Sequence, residues 1–278
     1  MSDKVEQNLA NIMRSSTYRL AIEDPYFLKS PELRSVRVQL ELLKPELVFS
    51  ELGIHSTIVA FGGTQIVDDA EANRKLNAAT AALERSPENT GLKRAVERAK
   101  RIVAKAKFYE AAREFARLVS TACQADEASD YVIVTGGGPG IMEAANRGAF
   151  EANAKSIGLN ISLPAEQRPN PYITPELCFQ FQYFAMRKLH FLLRAKALVV
   201  FPGGFGTLDE LFDALTLRQT HRMQSIPIIL FGRDYWSTVI NFEFMADEGV
   251  IADEHLELIQ FAETPEEAWE IVREYHGV

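Results

Sequence analysis

The chain has 278 residues, 47% hydrophobic and 24% charged, which is enough length and apolar content to bury a core without disulfides or a structural metal. A net charge of −8 argues against a polyanion-binding surface spread over the whole molecule. Two isolated cysteines, Cys123 and Cys178, exclude a disulfide framework or a Cys-based zinc site. The opening MSDKVEQNLANIMRSS lacks the apolar core of a secretory signal. No stretch approaches the roughly 20 apolar residues of a bilayer span. The expectation is a cytoplasmic protein with no membrane partner.

In chain order, residues 1–50 hold helical fragments, among them Ser30–Leu43 with Pro31 at a helix-start position. They read as a helical extension packed on a main domain of residues 51–278. Short apolar, β-branched runs then recur at Ser56–Phe61, Tyr131–Thr135, Ser156–Ser162, Cys178–Phe181, Ala197–Phe201 and Ile226–Phe231. Runs of this kind suit strands covered on both faces, as in a parallel sheet. Helical periodicity separates several of them, at Ile141–Asn153, Tyr183–Lys196 and Leu208–Thr220. That alternation predicts βαβ units in an open, doubly wound, mostly parallel α/β sheet, Rossmann-like, with helices on both faces.

Residues 68–130 interrupt the alternation. Ala72, Leu76, Ala79 and Leu83 keep helical spacing up to a turn cluster at Ser86–Gly91. Leu92, Val96, Ala99, Val103, Ala106, Phe115 and Leu118 then resume it, so a long helical hairpin is expected inside the first crossover. Its second arm is basic, with Lys93, Arg94, Arg98, Lys100, Arg101, Lys105 and Lys107 against Glu97 alone. Without interleaved aromatics to stack on bases, it reads as a solvated helix face rather than a nucleic-acid interface.

Two glycine loops carry the chemistry. Tyr131–Thr135 runs into Gly136-Gly137-Gly138-Pro139-Gly140 and a helix. Glycines let a ligand approach the backbone, and a helix start offers unpaired N–H groups to a phosphate. Alone, this loop suits a phosphate or a tight structural turn equally. A dinucleotide fingerprint fails at Ile141, where its third glycine should stand, and no acidic residue closes the next strand. Ala197–Phe201 runs likewise into Pro202-Gly203-Gly204-Phe205-Gly206-Thr207, and two such loops on one sheet edge favour a nucleotide or sugar phosphate. Neither has the Gly-Lys-Ser/Thr of an ATPase loop.

Thr207 and Glu210 have the spacing of a capping box, which in isolation is the better reading. Beside a phosphate loop, Thr207 can also bind phosphate, and Glu210 one turn on would face the ligand edge. Arg187 and Lys188 sit near a helix start, where cations oppose the dipole; an anionic partner or solvent exposure accounts for them. No histidine pair has metal-ligand spacing, so no metal is assigned.

Together these residues resemble the Lonely Guy (LOG) family, cytokinin-activating phosphoribohydrolases long labelled lysine decarboxylases. The hallmark P-G-G-x-G-T-x-x-E matches Pro202–Glu210 at every specified position, and Arg187-Lys188 matches the upstream Arg-Lys pair. Gly136–Gly140, Pro164-Ala165-Glu166 and Thr216 match further family positions. The N-terminal extension, the 68–130 insertion and Ala185 in place of the family's usual histidine set it among longer LOG-like chains.

The resemblance implies hydrolysis of the N-glycosidic bond of a nucleoside 5′-monophosphate, AMP or an N6-modified AMP, to free base and ribose 5-phosphate. It implies catalytic roles for Arg187 and Glu210. Substrate contacts would come from Gly137, Gly138, Glu166, Lys188, Gly203, Gly204, Gly206, Thr207, Asp209 and Thr216. It further implies no cofactor and a homodimer or higher homo-oligomer. A nucleotide-binding sensor on the same scaffold is the main competing expectation. A pyridoxal-phosphate decarboxylase using Lys188, and a dehydrogenase, are weaker ones.

Overall fold

The apolar runs form one sheet in the computed structural model, which describes residues 2–124, 129–164 and 168–278. Strands β1 (Thr57–Phe61), β2 (Val132–Thr135), β3 (Ser156–Ile161), β4 (Cys178–Phe181), β5 (Ala195–Val200), β6 (Ile228–Phe231) and β7 (Ile259–Ala262) are ordered β4-β3-β2-β1-β5-β6-β7. Every neighbouring pair is parallel. The helices are α1 (Ser2–Arg14), α2 (Pro25–Leu28), α3 (Arg34–Glu51), α4 (Asp69–Arg85), α5 (Thr90–Val103) and α6 (Ala106–Cys123). They continue as α7 (Ile141–Glu151), α8 (Phe184–Leu193), α9 (Phe205–Gln219), α10 (Arg233–Val239), α11 (Phe242–Asp247) and α12 (Pro265–His276). None among the described residues is long and apolar enough to cross a membrane.

Strand periodicity explains the continuous apolar runs. Ile58 and Ala60 of β1, Ile133 of β2, Ala197 and Val199 of β5, and Ile229 and Phe231 of β6 face one core, packed against α6, α7 and α12. Their neighbours Val59, Phe61, Val132, Val134, Leu198, Val200, Ile228 and Leu230 face the other, with Phe49, Phe191, Leu211 and Trp236 from α3, α8, α9 and α10. A period of two with both faces covered keeps the middle of the central strands apolar, and the polar residues Thr57, Thr135 and Lys196 stand at or next to their ends.

The chain divides into two compact units, residues 1–46 and 47–278. In the first, Asp24 caps α2 by accepting from the Tyr26 and Phe27 N–H groups, and Arg37 donates to the Leu28 and Ser30 carbonyls. The expected helix at Ser30–Leu43 starts later, as a 3-10 turn at Pro31–Leu33 followed by α3.

Three further boundaries differ from the sequence expectations. The second arm of the hairpin is two helices: α5 ends at Val103 and α6 begins at Ala106. α6 belongs to the core, burying Phe108, Tyr109, Ala112, Phe115, Ala116 and Val119. α8 stops at Leu193 because β5 already begins at Ala195. β7, Ile-Gln-Phe-Ala, was not expected; as an edge strand with its outer residues part-exposed it lacks the apolar run that marked the others.

A buried polar knot fixes the loop after β2. Asn146 of α7 accepts from Thr135 Oγ1 (2.7 Å) and Asn170 Nδ2 (2.9 Å), and its own Nδ2 donates to Ser156 Oγ (3.0 Å). Thr135 Oγ1 in turn accepts the Gly137 N–H, and Asn170 N–H donates to the Gly137 carbonyl. Removing one member of such a network strands its partners in a dry interior. Asn146→Ala should therefore lower stability by about 2–4 kcal/mol, read as a shift of the urea midpoint at unchanged slope.

Candidate active site

The sheet order reverses between β1 and β5, and the loops leaving their C-terminal ends diverge there into a crevice. Phe201 N–H donates to the Phe61 carbonyl (2.8 Å), Gly63 N–H to Pro202 (2.9 Å), and Ile141 N–H to Gly63 (3.3 Å). Three glycine loops are thereby tied into one floor. Gly140 sits at a φ of 75°, and a Cβ there would strike the Gly63 carbonyl, so the junction of the first two loops needs glycine.

Above this floor lies a cavity of about 380 Å³. Its walls are Gly62–Thr64 after β1, Gly136 and Met142 after β2, Asn160, Ile161 and Leu163 around the end of β3, Phe184 and Arg187 of α8, and Gly204–Thr207 with Glu210. α9 begins at Phe205 with Gly204 as its N-cap, three residues earlier than the sequence periodicity suggested. Thr207 is consequently the third residue of the helix and Glu210 the sixth, which rules out a capping box between them. At the start of α9 the Thr207 and Leu208 N–H groups both donate to the Gly204 carbonyl (3.0 Å each), which leaves those of Phe205 and Gly206 without an intrahelical acceptor. A Cβ on Gly204 or Gly206 would meet no protein atom within 4 Å, so the backbone there is open to a ligand.

Glu210 is only 6% exposed, and its Oε1 lies 3.5 Å from Nη2 of Arg187. The guanidinium is held over the rings of Phe184 and Phe191, each 5.5 Å from the centroid, one turn before and after it on α8. Its Nε is buried without a hydrogen-bond partner among the described residues. Burial raises the Glu210 carboxyl above the ordinary carboxylate range, with the charges of Arg187 and Lys188 pulling the other way. Burial likewise holds the Arg187 guanidinium below its usual value, opposed by Glu210. The pair is thus two partly desolvated charges at one wall, facing the helix start at another.

Not every expected contact is brought to this cavity. Gly203, Gly204, Gly206 and Thr207 form the α9 entry, although Gly203 lies behind it, its carbonyl accepting from Tyr235 Oη (2.6 Å). Gly137 and Gly138 are buried in the polar knot, and Gly136 lines the cavity in their place. Lys188 and Asp209 pair with each other at 2.9 Å outside the cavity lining, and Asp209 is 57% exposed. Burial opposes the Lys188 charge, but Asp209, Glu210 and Asp213 outweigh it and raise its pKa. Thr216 is exposed on α9 and donates back to the Phe212 carbonyl (2.7 Å). Glu166 lies outside the described residues.

The sequence reading missed Gly62-Gly63-Thr64, Asn160 and Phe184. The first repeats the signal used for the other loops, a buried strand ending in paired glycines. The other two carry no local pattern.

Comparison with known proteins bears on the same region. Residues 142–272 match the family described as possible lysine decarboxylase. The chain is 33% identical over 124 residues to the pyrimidine/purine nucleotide 5′-monophosphate nucleosidase of Escherichia coli K12, covering 40% of this chain and 27% of that one. It therefore spans about a quarter of the length of that relative. It is 25% identical over 153 residues to a probable cytokinin riboside 5′-monophosphate phosphoribohydrolase of Oryza sativa subsp. japonica, covering 52% and 68%. Among solved structures, the molybdenum cofactor carrier protein of Chlamydomonas reinhardtii aligns with a TM-score of 0.45 at 15% identity, over 80% of this chain and 99% of that one.

The electrostatics of the pair can be read directly. Arg187 lowers the Glu210 pKa, so removing the cation must raise it. In Arg187→Gln, ¹³C NMR titration of the Glu210 carboxyl should show its midpoint moving up from an already elevated wild-type value; an unchanged or lower midpoint would break the assigned coupling.

Proposed function

We propose that this chain, a member of the LOG family over residues 142–272, hydrolyses the N-glycosidic bond of a nucleoside 5′-monophosphate, with AMP or an N6-modified AMP as substrate. The observation that carries this reading is the buried Arg187–Glu210 pair facing an uncapped helix start across a cavity of nucleotide size, about 380 Å³. The names of the relatives, nucleotide 5′-monophosphate nucleosidase and cytokinin riboside 5′-monophosphate phosphoribohydrolase, support the same chemistry.

In this mechanism the 5′-phosphate accepts from the free N–H groups at the start of α9 and from the Thr207 hydroxyl. Remote binding of that group sets the anomeric carbon against Glu210. The bond to the base breaks through an oxocarbenium-like cation, which the Glu210 carboxylate stabilises while water attacks. The water oxygen bonds to carbon, its proton leaves, and the base departs with the bonding pair and takes up a proton. Arg187 orients Glu210 and presents its guanidinium to the substrate from the cavity wall. Phe184 and the 92% exposed Phe205 supply aromatic surface near the base.

A lysine decarboxylase chemistry does not fit these residues. A Schiff-base lysine must be a neutral amine at some stage, whereas Lys188 is paired with Asp209 and favours its charged form. No lysine lines the cavity among the described residues. The resemblance adds self-association of two or more copies to the proposal.

The test is incubation with AMP, N6-isopentenyl-AMP, GMP, CMP and UMP, with free base resolved by chromatography. Base release is expected from at least one adenine nucleotide, falling by about 100-fold or more in Arg187→Ala and Glu210→Gln. Binding of nucleotide with no base release from any of them would instead favour a nucleotide sensor.

A further inference from the structure

The lining of the candidate site changes character along the sheet edge. At the end nearest α9 its polar groups are Thr64, Thr207 and the N–H groups of Phe205 and Gly206. Arg187 and Glu210 follow: a Cβ on Gly136, just past β2, would stand 3.9 Å from Arg187 Nη1. The next residue of that loop, Gly137, has its Cα about 3.8 Å further along the chain, and the amide of Asn160 covers it so closely that a Cβ there would strike it. Asn160, Ile161 and Leu163 then close the cavity around the end of β3. β3 lies three strands from β5, about 14 Å across the sheet. A nucleotide with its phosphate at α9 and its ribose at Arg187 and Glu210 therefore carries its base toward β3.

At that end the surroundings are apolar, with Met142, Ile161, Leu163 and Phe184, and Asn160 is the only side-chain amide of the lining among the described residues. It is half-buried, and its Nδ2 donates to Sγ of Cys178 on β4 (3.4 Å). β4 lies on the far side of β3 from the Arg187–Glu210 pair, so this bond turns the amide nitrogen toward the sheet edge. Oδ1 is left without a hydrogen-bond partner among the described residues. An acceptor held in apolar surroundings is satisfied by a donor on the ligand and is penalised by an acceptor in the same place.

We propose that Asn160 selects the base: its Oδ1 accepts a hydrogen bond from the exocyclic 6-amino group of a purine, which a 6-oxo purine cannot supply. This rests on the reading of the cavity as a nucleoside 5′-monophosphate site, and it assigns to one side chain the choice of a 6-aminopurine. An N6-substituted adenine keeps one N–H and satisfies the same acceptor. Asn160 binds the base and takes no part in bond cleavage, and Cys178 is a positioning residue that holds the amide in this orientation.

The test compares kcat/KM for AMP, IMP and purine riboside 5′-monophosphate, which carries only hydrogen at position 6, in the wild type and in Asn160→Leu. The preference for AMP over each of the other two should be about ten-fold or more greater in the wild type than in Asn160→Leu. The intrinsic lability of each glycosidic bond is common to both proteins and cancels in this comparison, and a merely structural defect lowers all three rates together. Asn160→Asp keeps the acceptor and should keep the preference over purine riboside 5′-monophosphate. Ratios that do not move in Asn160→Leu overturn the proposal. So does a wild type that favours IMP relative to Asn160→Leu, because the amide would then present its nitrogen. Calorimetry with the same nucleotides on Glu210→Gln, with and without Asn160→Leu, separates this assignment from the reaction. An AMP preference in binding that Asn160→Leu abolishes, in a protein whose wild type releases no base, keeps the role of Asn160 while hydrolysis falls. Base release with unmoved ratios does the converse, and failure of AMP to bind overturns both.

Discussion

Burial of β1 and β5 on both faces is the constraint from which the rest of the molecule follows. Ile58, Val59, Ala60, Leu198, Val199 and Val200 are wholly enclosed, so these central strands have no side chain to spare for chemistry. Polar groups are displaced to the strand ends, and because every pair is parallel, all C-terminal ends lie on one edge. β1 leads to a neighbour on one side and β5 to a neighbour on the other, which opens the only kind of crevice such a sheet permits. The Phe61, Pro202 and Gly63 backbone bonds then close its floor without using any side chain. Site and core are one arrangement, since the bonds that end the strands also shape the cavity.

Two ion pairs join α8 to α9, and their contrast separates function from stability. Arg187–Glu210 is 3.5 Å long and makes a single contact, although both side chains are largely removed from water. Such a pair loses more hydration than a loose contact recovers, so it is a poor stabiliser. Lys188–Asp209 is shorter, at 2.9 Å, but shallow, and a pair of that exposure is worth at most about 1 kcal/mol. The residues are sequence neighbours, and adjacent positions on a helix point about 100° apart. One register therefore sends Arg187 and Glu210 into the cavity and their neighbours out of it. The desolvated pair persists because the aromatic rings around Arg187 and the core beneath Glu210 leave neither a solvated alternative.

That helical geometry also explains what was legible in the sequence. Strands covered on both faces announce themselves as unbroken apolar runs, and six of the strands were placed within two residues of their ends. β7 had no such run, because an edge strand need not be apolar throughout. Glu210 and the Gly204–Thr207 entry were visible because a glycine loop after a buried strand marks the approach of a helix, and Arg187 because adjacent cations near a helix start call for an anionic partner. Lys188, Asp209 and Thr216 share the motif but not the facing, and spacing along a chain cannot show facing until the helix start is known to within a residue. The start of α9 at Phe205 rather than Leu208 rotates Thr207 out of its expected capping role by most of a turn. Asn160 and Asn146 were invisible for a different reason. Their partners lie on other strands and helices, and only the assembled sheet brings those groups within hydrogen-bonding distance.

The charge distribution bears on how such a site captures an anion. With a net charge of −8, the chain as a whole repels a phosphate at long range. That repulsion is screened beyond about 8 Å at physiological ionic strength, so local groups decide the outcome. At the cavity the local groups are unpaired backbone N–H donors, a buried guanidinium and a carboxyl whose ionisation burial already disfavours. Each is weakened by solvation in the open chain and strengthened by enclosure. An anion entering therefore meets donors that were oriented during folding, and its charge lowers the cost of keeping Arg187 ionised. The desolvation that makes the Arg187–Glu210 pair a poor stabiliser is the same property that, in the proposed reaction, would let it respond to a bound substrate.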